Sequence, residues 1–294
     1  MVSNPGRSRR ISLHGGHSGQ FCNHAQDSLE DVIRAYIDAG FRWVGISEHM
    51  PPVSDAYLYP DEMAAGLCAR DLSNRFGRYM TTCRDLKEKY ASTIKILVGF
   101  ETETYSGAIP LARRLQALWR PDYLVGSVHH VDDINFDGGP AEYQQAVDAA
   151  GGIDNLYGRY FDAQYDMITA LKPAVVGHFD LIRIYDPDYP KWLVQPEIET
   201  RVLRNLSAVK AHGLILDLNL RALSKGAQEP YPARSILSKA LEMGITVVPG
   251  DDSHGVDTVG GHMETGLRIL DELGFDTHWQ PIAEALQRPT PQAT

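Results

Sequence analysis

The stretch Leu13-His14-Gly15-Gly16-His17-Ser18-Gly19-Gln20-Phe21-Cys22-Asn23-His24 contains three histidines and one cysteine within twelve residues. The apolar residues Ile11 and Leu13 precede the histidines, which predicts a short buried strand that ends at the first of them. Neutral imidazole is the commonest metal ligand in proteins. A strand that runs into a His- and Gly-rich loop therefore indicates part of a metal site. The alternative is a polar loop that is rich in histidine by chance.

The spacing of the first two histidines needs a distortion if both are to bind one metal. His14 and His17 are three residues apart, and residues three apart on a regular strand point to opposite faces. We predict that Gly15 and Gly16 adopt positive φ and form a bulge or tight turn that brings both imidazoles to the same metal. The alternative is that His14 ends the strand in the core and that only His17 is a ligand.

Metal-binding residue types recur just after predicted strands along the whole chain. Further strands are predicted at 42–47, 94–99, 122–127, 174–177, 214–218 and 245–249, and each is followed by a helix. The residues after these strands include His49, Glu101, His129, His178, Asp252 and His254. Strands that alternate with helices predict a parallel sheet. Seven such units in 294 residues favour a closed α/β barrel, whose active site lies at the carboxyl ends of its strands.

Three local predictions concern the elements around the carboxyl edge of the sheet. Asp27 and Glu30 predict a capping box at the start of the first helix, which ends near Ala39. The segment 131–140 is polar and contains glycine, so it is predicted as a loop. The loop 180–195 contains Tyr185, Tyr189 and Trp192, and we predict either a substrate lid or a packed excursion.

Composition limits the partners and the compartment. The formal net charge is −10, with 28 Lys and Arg against 38 Asp and Glu, which disfavours nucleic acid or an anionic membrane as a partner. Three cysteines without CxxC spacing are typical of a reduced protein. No signal peptide or membrane-spanning run is apparent. We therefore predict a cytoplasmic protein with one domain over 1–294, and loose tails at 1–9 and 288–294.

The residue types at the strand ends indicate a particular chemistry. Histidines and carboxylates without clustered cysteines favour Zn, Mn or Fe. Eight or nine ligands exceed one tetrahedral site, so two or three divalent metal ions are expected. Sites of this kind generate hydroxide at neutral pH and hold the oxygens of an in-line displacement at phosphorus. The expected reaction is hydrolysis of a phosphate ester, with a small phosphorylated molecule as substrate.

Six short sequences, met in order along residues 12–260, resemble the polymerase-and-histidinol-phosphatase (PHP) family. Within that family they most resemble the histidinol-phosphate phosphatases. The six are His17-Ser18…Phe21-Cys22-Asn23-His24, Ser47-Glu48-His49, Gly99-Phe100-Glu101, Gly126-Ser127-Val128-His129-His130, Gly177-His178-Phe179-Asp180 and Asp252-Ser253-His254.

The resemblance implies a distorted (β/α)7 barrel with a trinuclear metal site. It assigns His14, His17, Glu101 and Asp252 to one metal, Glu101, His129 and His178 to a second, and His24, His49 and His254 to a third. Glu101 bridges the first two metals in this assignment, and a bridging hydroxide attacks phosphorus. Glu101, Asp252 and His254 are the predicted catalytic residues. Glu103 shares a strand face with Glu101, and the resemblance favours Glu101.

Substrate contacts are predicted from the same resemblance. Arg183 matches a family position that contacts the substrate phosphate, a task that suits the planar guanidinium. The family has an Arg where this chain has Ser224, and Arg221 is the predicted replacement. His130 is predicted either to contact the substrate or to pack behind His129. Two further departures are His-Gly-Gly-His in place of His-x-His, and Asp217 in place of Glu.

The function that follows is hydrolysis of L-histidinol phosphate in histidine biosynthesis. Ser224 leaves open a second possibility, a PHP-family enzyme for another small phosphate ester or a phosphodiester. A non-enzymatic metal-binding barrel is the alternative from another class, and the complete ligand set argues against it. DNA-polymerase-type proofreading is disfavoured by the acidic charge.

Cys22 is either a metal ligand or a small buried hydrophobic residue, and the oligomeric state is left open.

Overall fold

Seven parallel strands form the centre of the protein, for which the computed structural model describes residues 10–286. The nine strands of the described residues are β1 (Ile11–Ser12), β2 (Trp43–Ile46), β3 (Lys95–Glu101), β4 (Tyr123–Gly126), β5 (His130–Val131), β6 (Ile134–Asn135), β7 (Val175–Val176), β8 (Ile215–Asn219) and β9 (Val247–Gly250). The parallel sheet has the order β1-β2-β3-β4-β7-β8-β9, while β5 and β6 pair separately as an antiparallel hairpin. The predicted tails at 1–9 and 288–294 lie outside the described residues.

The sheet curves until its two edge strands meet. The backbone N–H of Leu13 donates to the carbonyl of Pro249 at 3.2 Å, which joins the chain after β1 to β9. Since each parallel connection carries at least one helix, the helices surround the sheet. The predicted distorted (β/α)7 barrel is confirmed.

Twelve α-helices are described in residues 10–286. They are α1 (Leu29–Asp38), α2 (Pro60–Ala64), α3 (Ala69–Lys89), α4 (Ala108–Trp119), α5 (Pro140–Ala150), α6 (Ile153–Leu171), α7 (Tyr189–Leu193), α8 (Pro196–Ala211), α9 (Arg221–Ser224), α10 (Arg234–Glu242), α11 (Met263–Leu273) and α12 (Gln280–Leu286). Every one of these helices is too short or too polar to cross a lipid bilayer.

The core lies between the barrel and the helices, and α1 shows how it is built. Leu29, Val32, Ile33 and Tyr36 recur at helical spacing and are all fully buried, as the periodicity predicts. Burying a side chain of the Leu, Ile or Val type contributes roughly 1.5–3 kcal/mol each. This apolar stripe therefore fixes α1 against the barrel and holds the histidine-rich segment that precedes it.

The predicted capping residue of α1 is wrong. Ser28, not Asp27, is the N-cap, and its hydroxyl oxygen accepts a hydrogen bond from the backbone N–H of Asp31 at 3.2 Å. Asp27 has a φ of 65°, and its carboxylate accepts from the N–H of Val256 at 2.8 Å. The carboxylate of Asp27 thus ties the start of α1 to the segment after β9 instead of capping the helix.

The predicted loop at 131–140 contains the β5–β6 hairpin. His130 pairs with Asn135 and Val131 with Ile134, across a two-residue turn formed by Asp132 and Asp133. Both aspartates have positive φ, 49° and 67°, as a tight hairpin turn requires. Aspartate tolerates this conformation through its short polar side chain, and the sequence lacks the Asp-Gly or Asn-Gly signal that would have predicted the turn.

Candidate metal centre

Glu101 lies at the centre of a buried cluster at the carboxyl ends of the strands. It is the last residue of β3 and is 1% exposed. Five histidines face its carboxylate: His178 Nε2 at 2.9 Å, His129 Nε2 at 3.3 Å, His14 Nε2 at 3.4 Å, His49 Nδ1 at 3.5 Å and His17 Nε2 at 3.7 Å. All five lie at or after strand ends, so the parallel sheet brings them together, as the sequence analysis expects.

A second group of histidines lies on the outer side of the cluster. The ligand nitrogens of His24, His49 and His254 lie within 4.8 Å of one another. His254 Nδ1 is 2.9 Å from the carbonyl oxygen of Asp252, which leaves its Nε2 for the group. These three residues are the set that the family resemblance assigns to one metal.

The segment between the first two histidines does not adopt the predicted conformation. Neither Gly15 nor Gly16 has a positive φ. Glycine is needed there for space: a Cβ at Gly15 would lie 2.3 Å from the carbonyl oxygen of Gly45, and one at Gly16 would lie 2.6 Å from Val32 Cγ1. The prediction of a positive-φ bulge is therefore wrong, and close packing against β2 and α1 is the physical reason for both glycines.

Both histidines nevertheless point into the cluster. The strand β1 ends at Ser12, so the alternation of a regular strand no longer applies at His14. The carbonyl of His14 accepts from the N–H of Asp252 at 2.9 Å, and the N–H of His17 donates to the carbonyl of Ser253 at 2.7 Å. These two bonds hold the segment beside the end of β9, with both imidazoles facing Glu101.

Carboxylates stand behind three of the histidines. Asp217 Oδ2 is 2.8 Å from His14 Nδ1, Glu103 Oε2 is 3.1 Å from His129 Nδ1, and Glu48 Oε2 faces His17 Nδ1 at 3.5 Å. A carboxylate on the far nitrogen of an imidazole fixes the ring and its tautomer for metal binding. The sequence analysis named Glu103 and Asp217 without giving either this role. The signal for Glu103 was its position two residues after Glu101, on the same strand face.

Several buried nitrogens in the cluster lack a hydrogen-bond partner among residues 10–286. They include His14 Nε2, His17 Nε2 and His49 Nδ1. A buried polar atom without a partner costs about 1–3 kcal/mol. Imidazole and carboxylate are suitable ligands for divalent Zn, Mn and Fe. The residues therefore fit divalent metals.

The charges of the cluster also fit metal ions. Burial would raise the pKa of Glu101, but His14, His129 and His49 hold it well below its ordinary value. Burial lowers the pKa of His17, yet Asp252 and Glu48 outweigh it and raise that pKa to about 9. The buried carboxylates thus require positive charge nearby. Metal ions held by these residues would supply this charge in place of protons, so metal binding would release protons.

A cavity opens beside the cluster and reaches the surface, with an empty volume of about 1140 Å³ including its mouth. Arg221, the first residue of α9, and Lys225, the residue after it ends, line the cavity together with Glu101, Asp252 and His254. Arg221 Nη1 donates to the carbonyl of Asp252 at 3.1 Å. Arg221 therefore lies at the cavity wall, and its predicted contact with the substrate phosphate stays a prediction; the nearby Ser224 is not among the residues that line this cavity.

Arg183 lies behind the wall of this cavity and does not line it. Its Nε donates to Asp180 Oδ2 at 3.0 Å, and its Nη2 donates to the carbonyls of Glu229 and Pro230. The guanidinium also stacks on Tyr231, 4.3 Å from the ring centre. Arg183 thus braces the segment that carries Tyr231, and its predicted contact with the substrate phosphate stays a prediction.

His130 and Cys22 likewise lie outside the wall of this cavity. His130 Nδ1 is 3.2 Å from Glu103 Oε2, and the ring packs edge-on against Tyr105. The packing alternative describes this position, and a substrate contact by His130 stays a prediction. Cys22 is buried, with its Sγ 3.2 Å from His24 Nε2. In the loop 180–195, Tyr185 lines the cavity, whereas Tyr189 and Trp192 do not.

The profile of the PHP domain family matches residues 14–221. This chain belongs to the PHP domain family. Among its relatives, a protein of Schizosaccharomyces pombe named "Probable histidinol-phosphatase" is 37% identical over 269 residues, which cover 90% of this chain and 87% of the relative. The histidinol-phosphatase of Saccharomyces cerevisiae is 29% identical over 284 residues, with 84% of each chain covered.

Two solved structures share the PHP fold of this chain. One, from Listeria monocytogenes and named for histidinol phosphatase HisK, superposes with a TM-score of 0.77 at 25% identity, over 87% of this chain and 99% of that one. The other, HisK of Lactococcus lactis, superposes with a TM-score of 0.70 at 19% identity, over 91% and 95%. That second structure is a complex with zinc, L-histidinol and phosphate.

Proposed function

We propose that this protein is a phosphomonoesterase that hydrolyses L-histidinol phosphate to L-histidinol and phosphate. The observation that carries the proposal is the position of Arg221 and Lys225 across one cavity from the Glu101 cluster. This arrangement offers cationic side chains and a metal-binding centre to the same phosphate. The histidinol-phosphatase names of relatives at 37% and 29% identity support the choice of substrate.

The proposed cofactors are two or three divalent ions of zinc, manganese or iron. Three groups of side chains are available: His14, His17 and Asp252; Glu101, His129 and His178; and His24, His49 and His254. Metals bound there would neutralise charge on the phosphate and lower the pKa of an attacking water molecule. The proposed set keeps Glu101 shared between the first two groups, because its two oxygens face different histidines.

The chain's own residues have separate tasks in this proposal. Arg221 and Lys225 bind the phosphate through charge-assisted hydrogen bonds. Glu101, Asp252 and His254 are the proposed catalytic residues, because all three line the cavity where the phosphate lies. Asp217 and Glu103 position His14 and His129. Arg183 supports this wall of the cavity through the segment that carries Tyr231.

Phosphate release by the purified, metal-loaded protein tests the proposal. The panel contains L-histidinol phosphate, sugar phosphates, nucleotides and a phosphodiester, each with Mn²⁺ or Zn²⁺. We expect the highest kcat/KM for L-histidinol phosphate, and elemental analysis should find about three metals per chain. Equal or higher turnover of another ester would contradict the substrate, and no turnover of any ester would contradict the phosphatase. The cytoplasmic location and the absence of a nucleic-acid partner stay predictions.

A further inference from the structure

Asp137 differs from the other carboxylates that line the cavity. The lining carboxylates are Asp61, Glu101, Asp137 and Asp252. Three of them face histidines: Asp61 Oδ2 lies 3.7 Å from His24, Asp252 Oδ1 lies 3.4 Å from His17, and Glu101 faces the five named above. Within residues 10–286, Asp137 has no Lys, Arg or His partner within ion-pair distance. The charge of Lys225 acts on it from farther away, so the carboxylate itself is open to a cationic ligand.

The carboxylate of Asp137 is held in place by neutral groups. Asn135 Nδ2 donates to Asp137 Oδ1 at 2.9 Å, and the hydroxyl of Tyr185 donates to the Asp137 backbone carbonyl at 3.3 Å. These bonds fix the segment that follows the β5–β6 hairpin against the loop that carries Tyr185. Asp137 Oδ2 takes no hydrogen bond from the described residues, so it remains available to a donor in the cavity.

The surroundings of Asp137 favour a cation. Tyr185 and Tyr231 line the same cavity, and aromatic faces attract cations. The positive side chains of the cavity wall, Arg221 and Lys225, lie in and just after α9, whereas Asp137 follows the β5–β6 hairpin. The cavity therefore offers positive charge from one element and an unpaired negative charge from another.

We infer that Asp137 binds the protonated amino group of the substrate and makes the enzyme selective for phosphate esters of amino alcohols. This inference rests on the proposed function. An amino-alcohol phosphate carries an anionic group at one end and an ammonium group nearby, which matches the two kinds of charge in the cavity. A phosphate ester without an amine leaves Asp137 without a partner in the complex, so it gains nothing from this side chain.

Asp137→Asn tests the inference with minimal disturbance. An asparagine keeps an oxygen for the Asn135 bond and removes only the negative charge. The two probes are L-histidinol phosphate and 3-(imidazol-4-yl)propyl phosphate, which lacks the amino group. We expect kcat/KM for L-histidinol phosphate to fall about tenfold or more, the usual size of a hydrogen bond to a charged group. For the deaminated ester we expect a change below about twofold, so the preference for the amine should largely disappear.

Asp132→Asn is the matched control. Asp132 lies in the turn of the hairpin that precedes Asp137, but its exposed carboxylate pairs with Arg159 and does not line the cavity. We expect this variant to keep the wild-type kcat/KM for both esters, and the metal content of all three proteins should be equal. If the wild type is active and Asp137→Asn keeps the same preference for the ester with the amine, this inference is wrong and the proposed function still stands. A wild type that hydrolyses neither ester would overturn the proposed function and this inference with it.

Discussion

The metal centre and the cationic wall of the cavity are built in opposite ways. In the centre, His14 is fully buried, with its Nδ1 held by Asp217, and Glu101 is surrounded by histidines. On the wall, Arg221 is half-buried at the start of a helix of four residues, and Lys225 is exposed just after that helix. We therefore expect the proposed metal ligands around Glu101 to be fixed in advance by buried partners, whereas the proposed phosphate-binding side chains keep freedom to adjust. Substitutions in the metal centre should therefore reduce metal binding, whereas substitutions on the wall should reduce phosphate binding.

Replacing Glu101 should have the largest effect. Glu101→Gln leaves several buried histidines without their central anion, and breaking a buried ion pair costs roughly 3–5 kcal/mol. We expect loss of bound metal and a fall in kcat/KM of at least about 100-fold. Elemental analysis and steady-state kinetics measure both, with Glu88→Gln on exposed α3 surface as the control. Full metal content with full activity in Glu101→Gln would show that Glu101 is needed neither for metal binding nor for catalysis.

Arg183→Ala should affect folding more than phosphate binding. The variant leaves Asp180, which is fully buried, without its guanidinium partner, so we expect the free energy of unfolding to fall by roughly 3–5 kcal/mol. Urea unfolding measures this. The exposed pair of Arg159 and Asp132 is the comparison, since Arg159→Ala should cost at most about 1 kcal/mol. An Arg183→Ala protein of wild-type stability but much lower kcat/KM would instead support the direct phosphate contact predicted from the sequence.

Arg221→Ala tests the wall directly. Loss of a charged hydrogen bond to phosphate costs roughly 1.5–3 kcal/mol, so kcat/KM should fall about ten- to a hundredfold. The metal content and the unfolding midpoint should stay close to those of the wild type, because the half-buried Arg221 side chain donates to the backbone carbonyl of Asp252 and not to its carboxylate. Arg221→Lys should be more active than Arg221→Ala, because it keeps the positive charge. The control Arg114→Ala, on the exposed surface of α4, should keep the wild-type activity. A loss of metal in Arg221→Ala would show that Arg221 also supports the metal centre.

Asp217→Asn should have the smallest effect of the four. The amide oxygen of asparagine can still accept from His14 Nδ1–H, so the ring keeps its orientation but loses the supporting charge. We expect metal affinity to fall about tenfold, the lower end of the range for residues that position a ligand. Competition with a chelator measures the affinity, and Asp148→Asn on exposed α5 surface is the control. An unchanged affinity would show that the charge behind His14 does not tune the centre.

The sequence predicted the centre better than the wall. Each of the nine proposed ligands follows or ends a predicted strand, or belongs to the histidine-rich opening stretch, and the structure places them together. Of the three predicted substrate contacts, only Arg221 lines the cavity. A position after a parallel strand is a local property that fixes the edge of the sheet. The direction of a long side chain from a loop depends instead on distant partners, such as the carbonyls that hold Arg183.

The sequence alone thus determined the barrel and the set of residues at its carboxyl edge, because hydrophobic periodicity and residue type are local. Only the tertiary structure decided how these residues are divided between ligands and supports. Asp217 reaches His14 across 203 positions in the chain, and Asp137 is distinguished only because histidines face the other cavity carboxylates. Gly15 and Gly16 show the same limit. Their need for space comes from β2 and α1, which the spacing of two histidines could not reveal.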